Sequence, residues 1–354
     1  MPIKDGPGTH ERVSLVVGPR GIGKTVLLNA LEDEAEARHG WRVISETATT
    51  GFVRRLRDKI VRFLTQNKSK VRGFQLTLFG MGGGVNWESA ALNDPTYTLR
   101  EALKDLLAYK REEDRRVNQA PTGVFITLDE MHHQRSEEVV EFGATIQHLV
   151  REGEEIAVAM AGIPSAIRPL LEDKGTANPV TFLRRAERIE LDRVSAAAVE
   201  QALRKPLLEM GMEWDEAAIV KAVAACQGYP FMIQLVGQYS FRKKEGNRIT
   251  PAAAGAGVEM AQRKLGQLVH EPALSDLSEV DRTFLVLMAQ DSGPSKTSDI
   301  AERMGVSASY AGNYRRRLLD AEMIAETSRG EVDFSLPYLC EYLRDHAAIL
   351  AINP

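Results

Sequence analysis

One octapeptide, Gly18-Pro19-Arg20-Gly21-Ile22-Gly23-Lys24-Thr25, constrains this chain more than any other stretch. A β-branched apolar run, Val13-Ser14-Leu15-Val16-Val17, ends at its first glycine. Beyond Lys24 the apolar residues Val26, Leu27, Leu28, Ala30 and Leu31 follow helical spacing, so the order is strand, glycine loop, helix. Glycines in such a loop let successive backbone N–H groups converge on phosphate oxygens, and the helix start behind them adds positive potential. In that setting Lys24 reaches the β- and γ-phosphates of ATP, Thr25 offers its hydroxyl to Mg²⁺, and the nucleotide-binding stretch runs on to Val26.

The runs at 41–45, 123–128, 156–160 and 189–191 read as further strands, and 52–64 and 99–109 as helices. The nearly continuous apolar character of 123–128 and 156–160 is that of parallel strands covered on both faces. Strands alternating with helices predict a doubly wound α/β sheet over 1–193. Asp129 and Glu130 end the 123–128 strand. A carboxylate there can hold the magnesium shell (Asp129), and the next can polarise an attacking water (Glu130); the plain alternative is two acids that merely end a strand. His132 and His133 follow and could ligate a metal, but adjacent histidines share no helical face, which favours surface or sensor roles. Gly80-Met81-Gly82-Gly83-Gly84 suggests a hairpin or a glycine-tipped loop.

From Ser195 the pattern is helical, with Ser195 and Asp215 as N-caps and Gly228-Tyr229-Pro230 as a stop before a helix over 231–241. This gives an all-α lid over 194–270. A final domain, 271–354, shows helices at 279–289 and 298–304, a Gly305-Val306-Ser307 turn, a helix over 308–319 and a hairpin around Arg329-Gly330. That order describes a winged helix-turn-helix.

At 354 residues, 44% hydrophobic and 27% charged, the chain has room for two or three globular domains. It has no apolar run long enough to span a bilayer, and its two cysteines, Cys226 and Cys340, lie far apart, so free thiols in a cytoplasmic protein are expected, with no membrane partner. A net charge of −4 restricts any nucleic-acid contact to local patches. One is 54–72, where Arg54, Arg55, Arg57, Lys59, Arg62, Lys68, Lys70 and Arg72 face a single acid, Asp58; an ordinary solvated helix face explains it equally well. The other is Arg315-Arg316-Arg317, beside Tyr310, Asn313 and Tyr314, whose side chains suit phosphates and base edges. Against it stands the balance over 271–354, 8 bases to 14 acids, which fits a protein-docking domain as well as a reader of DNA.

Gly18 to Thr25 with Leu128-Asp129-Glu130, followed by a helical lid and a winged helix, resembles an AAA+ ATPase, nearest to the origin-recognition (initiator-like) and STAND-type group. The resemblance covers nearly the whole chain by order of domains. It implies Mg²⁺-dependent hydrolysis of ATP to ADP and phosphate, with Lys24 and Glu130 acting on the reaction. It also implies an arginine, Arg184 or Arg185, with Arg188 close by, pointed at a neighbouring subunit's nucleotide in a homo-oligomer. Two departures stand out. The 156–160 strand runs into Ala161-Gly162-Ile163-Pro164 with no polar sensor residue, and the lid carries Gly228-Tyr229-Pro230, similar to the GxP element of STAND ATPases, which brings Gly228 and Pro230 to the nucleotide. The implied role is a slow, nucleotide-controlled regulator or loader associated with double-stranded DNA. The alternative is a signalling switch whose winged helix docks a protein partner.

Overall fold

The structure, a computed structural model, describes residues 12–67, 96–131, 137–164 and 183–350, with isolated positions 3, 6, 9, 92, 94 and 167. The glycine-rich segment at 80–84, the His132-His133 pair and the bases Lys68, Lys70 and Arg72 lie outside the described residues. The chain divides into two compact units, Met1–Gly18 with Lys24–Leu191, and Pro19–Gly23 with Asp192–Pro354.

The first unit is built on five strands: β1 (Val13–Val17), β2 (Arg42–Thr47), β3 (Val124–Asp129), β4 (Ile156–Gly162) and β5 (Glu187–Glu190). All pairings are parallel, in the order β2-β3-β4-β1-β5. Among the described residues, four helices belong with them: α1 (Lys24–His39), α2 (Phe52–Asn67), α3 (Leu99–Arg116) and α4 (Glu137–Arg151). Strand alternation sends neighbouring side chains to opposite faces. Leu15, Ile126 and Val158 therefore share one core with Leu56 and Ile60 of α2, Leu103 of α3 and Phe142 of α4. Val16, Phe125 and Ala157 meet Leu28 and Ala35 of α1 on the other face. With both faces covered, every residue of β4 is buried, which is why its sequence shows no polar alternation. Each large side chain so enclosed contributes about 2 kcal/mol.

Helix α3 extends seven residues past the expected end at Tyr109. Its last turns carry no apolar stripe; they are held by polar pairs, Lys110 with Glu113 and Asp114, while Asp114 accepts from the Thr122 N–H at 2.7 Å. Helix α4 was not among the expected elements, although Val139, Phe142, Ile146 and Leu149 are buried at helical spacing.

The basic residues of α2 have a local structural use. Strand β2 is a sheet edge among the described residues, and Lys59 Nζ donates to the Ser45 carbonyl at 2.7 Å while Arg55 donates to the Thr47 carbonyl at 3.0 Å. Both cations also pair with Glu46. Burial works to raise the Glu46 pKa, but hydrogen bonds from Lys59, the Thr47 N–H and Arg55 hold it below the usual carboxylate value. Cations that occupy edge carbonyls discourage pairing with a foreign strand. Arg57 is paired with Asp58, which leaves Arg54 and Arg62 as the exposed bases of this helix with no ion pair among the described residues.

The second unit begins with α5 (Ala196–Glu209), β6 (Glu213–Trp214), α6 (Glu216–Cys226), α7 (Pro230–Arg242), β7 (Arg248–Ile249) and α8 (Pro251–Leu265), followed by a π-helical turn, Gly266–His270, and α9 (Glu271–Ser275). Ser195 caps α5 by accepting the Ala198 N–H. Asp215 occupies the N-cap position of α6 but makes no side-chain cap bond; its carboxylate pairs with Arg248 at 2.7 Å instead. The chain continues with α10 (Glu279–Met288), β8 (Ser295–Lys296), α11 (Thr297–Arg303), α12 (Ala308–Asp320), β9 (Ile324–Ser328), β10 (Glu331–Phe334) and α13 (Leu339–Leu350). Strands β8, β10 and β9 form an antiparallel sheet, and Phe284, Leu285, Ile300, Leu318, Val332 and Leu343 share one core. Among the described residues no helix is long and apolar enough to cross a membrane. Both cysteines are free thiols, and burial pushes Cys226 up to about 12.

Candidate functional site

Strand β1 ends at Val17, and α1 opens at Lys24, so residues 18–23 must turn the chain sharply. Gly21 and Gly23 do so at φ +73° and +96°, values that a residue with a Cβ adopts at a cost. Lys24 is buried and donates from Nζ to the Gly18 carbonyl at 2.6 Å, closing the loop across its base. Thr25 and Val26, on the first turn of α1, are exposed.

The end of β3 comes to the same helix start. The Thr25 hydroxyl donates to Asp129 Oδ2 at 2.6 Å, and Asp129 Oδ1 accepts the Glu130 N–H at 2.7 Å. Glu130 is exposed and sits at φ +56°. A left-handed conformation costs a non-glycine residue about 1 kcal/mol or more, a strain typical of functional corners. It is held from behind, because the Met131 N–H bonds to the Ala161 carbonyl and the Ala48 N–H to the Asp129 carbonyl.

A hydroxyl and a carboxylate in contact, beside backbone amides and a lysine, are the hard-oxygen donor set that suits Mg²⁺ bound together with phosphates. The residues therefore fit magnesium and a nucleotide, and Thr25 and Asp129 are the side chains that would hold the metal. Beside Asp129 lies a polar cavity of about 230 Å³ lined by Asn29, Glu32, Glu46, Thr47, Lys59 and Thr127, within the first unit. The sequence marks none of these six as a site residue, and Lys59 stands out only as part of the basic run on α2. Thr47 had a readable signal, since it ends β2 in register with Asp129 at the carboxyl edge of the sheet. The others are legible only once α1 and α2 are placed.

Arg184 and Arg185 form the exposed end of a short turn before β5, whereas Arg188 lies inside that strand. Gly228, Tyr229 and Pro230 join α6 to α7, with Pro230 as the first residue of α7. In the same unit the Tyr229 hydroxyl donates to the Arg20 carbonyl at 2.8 Å, and Arg20 pairs with Asp276 at 3.6 Å.

On α12 the three arginines differ. Arg315 is paired with Glu326 of β9 at 2.9 Å, and Arg317 with the buried Asp281 of α10 at 2.7 Å. Arg316 and Asn313 are exposed. Tyr310 is 44% exposed and shares a hydroxyl contact of 3.0 Å with Tyr314.

The sequence matches the AAA domain family over residues 8–171, and over 267–343 a family described as a domain of unknown function (DUF8462). No curated protein matches it. Among solved structures, the Walker-type ATPase of Pyrococcus abyssi superposes with a TM-score of 0.68 at 15% identity, covering 94% of this chain and 91% of that one. Looser likenesses are the RuvB Holliday junction branch migration motor of Thermotoga maritima (TM-score 0.45, 15% identity, 96% of this chain and 88% of that one) and Cdc6p of Pyrobaculum aerophilum (0.41, 14%, 96% and 87%). Sheet order, glycine loop and superposition agree on a P-loop NTPase fold, within which residues 8–171 are similar to the AAA domain family.

Proposed function

We propose that this chain binds ATP with Mg²⁺ at Gly18–Thr25 and hydrolyses it. The observation that carries this reading is the 2.6 Å contact between Thr25 and Asp129, which brings the loop-helix start and the β3 end into one donor set. Lys24 leaves its Gly18 carbonyl for the phosphate oxygens, where a charge-assisted contact is worth more than a neutral one. Thr25 and Asp129 hold the metal, which when bound neutralises phosphate charge. Glu130 accepts a proton from the attacking water, and its exposed, strained corner leaves the carboxylate accessible to that water. Gly228 and Pro230 belong to the nucleotide-binding set in this reading. Arg184 or Arg185 completes the charge stabilisation from a neighbouring copy in a homo-oligomer.

The functional division follows the sequence: an ATPase domain over 1–193, a helical lid over 194–270 and a winged helix-turn-helix over 271–354. In the last, α11, the turn at Gly305 and α12 are the helix-turn-helix, and β9 and β10 are the wing. Exposed Tyr310, Asn313 and Arg316 support contact with duplex DNA, and in this reading the whole is a DNA-associated, nucleotide-controlled regulator or loader acting in the cytoplasm. One observation favours a second reading: the Arg315–Glu326 and Arg317–Asp281 pairs leave α12 less positive than its sequence suggests, as suits a switch that docks a protein.

The test is a titration of the full chain with labelled ATP, with and without Mg²⁺, together with phosphate release. A duplex-DNA binding series over salt, with and without ATP, tests the second half. Absence of nucleotide binding overturns the ATPase reading. Absence of salt-sensitive DNA binding at low ionic strength leaves the protein-docking reading in its place.

A further inference from the structure

The lid residue between Gly228 and Pro230 does something that its flanking residues do not. Tyr229 leaves a rigid turn. Its N–H bonds back to the Cys226 carbonyl at 2.8 Å, Pro230 fixes the next residue, and the Gly228 carbonyl accepts the Val194 N–H at 2.7 Å. A Cβ on Gly228 would collide with the Val194 carbonyl. Tyr229 as a whole is 3% exposed, and its hydroxyl reaches the Arg20 carbonyl at 2.8 Å. A Cβ on Gly21 would collide with that hydroxyl, so the second glycine of the loop is also what admits the tyrosine.

No peptide bond among the described residues is cis. In a trans peptide unit C=O and N–H point in opposite directions. Anchoring the Arg20 carbonyl on Tyr229 therefore aims the Gly21 N–H away from the ring. We propose that Tyr229 is a positioning residue for the phosphate cradle: its hydroxyl sets the Arg20–Gly21 peptide plane so that the Gly21 N–H is presented, pre-oriented, to a nucleotide phosphate. This rests on the reading of Gly18–Thr25 as an ATP site. The Arg20–Asp276 pair tethers the side chain of the same residue, with both partners well exposed, and so adds little. Burial pushes the Tyr229 pKa up to about 12, so the hydroxyl stays a donor over the whole working range of pH.

The experiment compares Tyr229→Phe, which keeps the ring and removes only the donor, with the parent chain. Labelled ADP and ATP titrations, steady-state hydrolysis and the unfolding midpoint of the nucleotide-free protein are measured. Loss of one pre-organising hydrogen bond should weaken both nucleotides about fivefold and raise KM with kcat nearly unchanged, while the nucleotide-free midpoint stays put. A purely structural strut would do the reverse, lowering the midpoint and leaving affinity alone, and that result overturns the proposal. Where both change, Gly21→Ala decides. Its Cβ displaces the hydroxyl, so Tyr229→Phe should cost little further affinity in that background; two losses that simply add overturn the proposal. A parent chain that binds no nucleotide with Mg²⁺ instead overturns the ATP-site reading, which keeps the two failures apart.

Discussion

The phosphate loop and helix α12 both announce themselves in sequence by a short, unusual string of residues, yet the structure treats the strings differently. In Gly18 to Thr25 the string specifies backbone: two positive-φ glycines, a helix start and a lysine that closes the loop. In Arg315-Arg316-Arg317 the string specifies only charge, and charge is neutralised by whatever the fold brings near. Glu326 and Asp281, 11 and 36 residues away in sequence from their partners Arg315 and Arg317, remove two of the three from easy use. A motif made of backbone conformation survives folding; one made of side-chain charge depends on contacts that are not local.

The widest gap between the two regions should appear on removing one cation from each. Lys24→Ala is expected to weaken ATP binding by about 100-fold, since a charge-assisted contact to phosphate has no substitute at that point. Near-parental affinity in the labelled-ATP titration would break the assignment of the loop.

Glu130→Gln comes next. An amide cannot take a proton from water, so turnover should fall by about two orders of magnitude while ATP affinity is kept. Phosphate release at the parental rate would move the base elsewhere, with the polar cavity beside Asp129 as the place to search.

The same distinction explains how much was legible. Strand β1, the doubly wound sheet and the Asp129-Glu130 corner followed from apolar runs and their ends, because a strand buried on both faces has few alternatives. Helix α4 lies outside the elements expected from sequence despite its spacing, and α3 runs past its expected end at Tyr109 because Lys110, Glu113 and Asp114 stabilise it by pairs rather than by an apolar stripe. The cations of α2 fit a patch for a polyanion and a solvated helix face equally well in sequence, whereas Arg55 and Lys59 are committed to β2 carbonyls and Glu46. Asn29 and Glu32 could not be grouped with Asp129 before α1 was placed. The Tyr229 contact joins positions 209 residues apart and leaves no local trace in sequence.

A smaller effect concerns the second unit alone. His270 is buried, its Nε2 contacts the Pro337 carbonyl at 3.0 Å, and Tyr342 lies edge-on to its ring. Burial lowers its pKa to about 4, with the Pro337 bond opposing the shift. The unfolded chain, with a value near 6.5, binds this proton first on acidification, so stability is fully present above about pH 6.5 and is lost as pH falls toward 4. By pH 5 the loss should be about 2 kcal/mol. Denaturant unfolding of the parent and of His270→Gln at pH 7.5 and 5.0 checks it: the variant, less stable throughout, should show a smaller drop between the two pH values, and equal drops would place the sensitivity in the carboxylates.

The smallest effect returns to α12 and tests the comparison most sharply. Removing a single phosphate interaction should flatten the slope of log affinity against log salt by about 0.9 for duplex DNA. Arg316 is exposed and has no ion-pair partner among the described residues, so Arg316→Ala should remove close to one such interaction. Arg315→Ala should change the slope less, because its guanidinium is held by Glu326 with 21% of the side chain exposed. Arg317→Ala should also affect the slope weakly, and should lower stability as well, because it strands the buried Asp281 without its cation. The converse substitution is the informative one. Glu326→Gln leaves the fold's packing in place and releases Arg315, so it should steepen the slope if α12 meets phosphates. Equal flattening by all three arginine variants would mean that the pairs open for DNA and that sequence charge was the better guide after all. A slope that none of the four variants alters would take α12 out of the DNA interface and leave it to a protein partner.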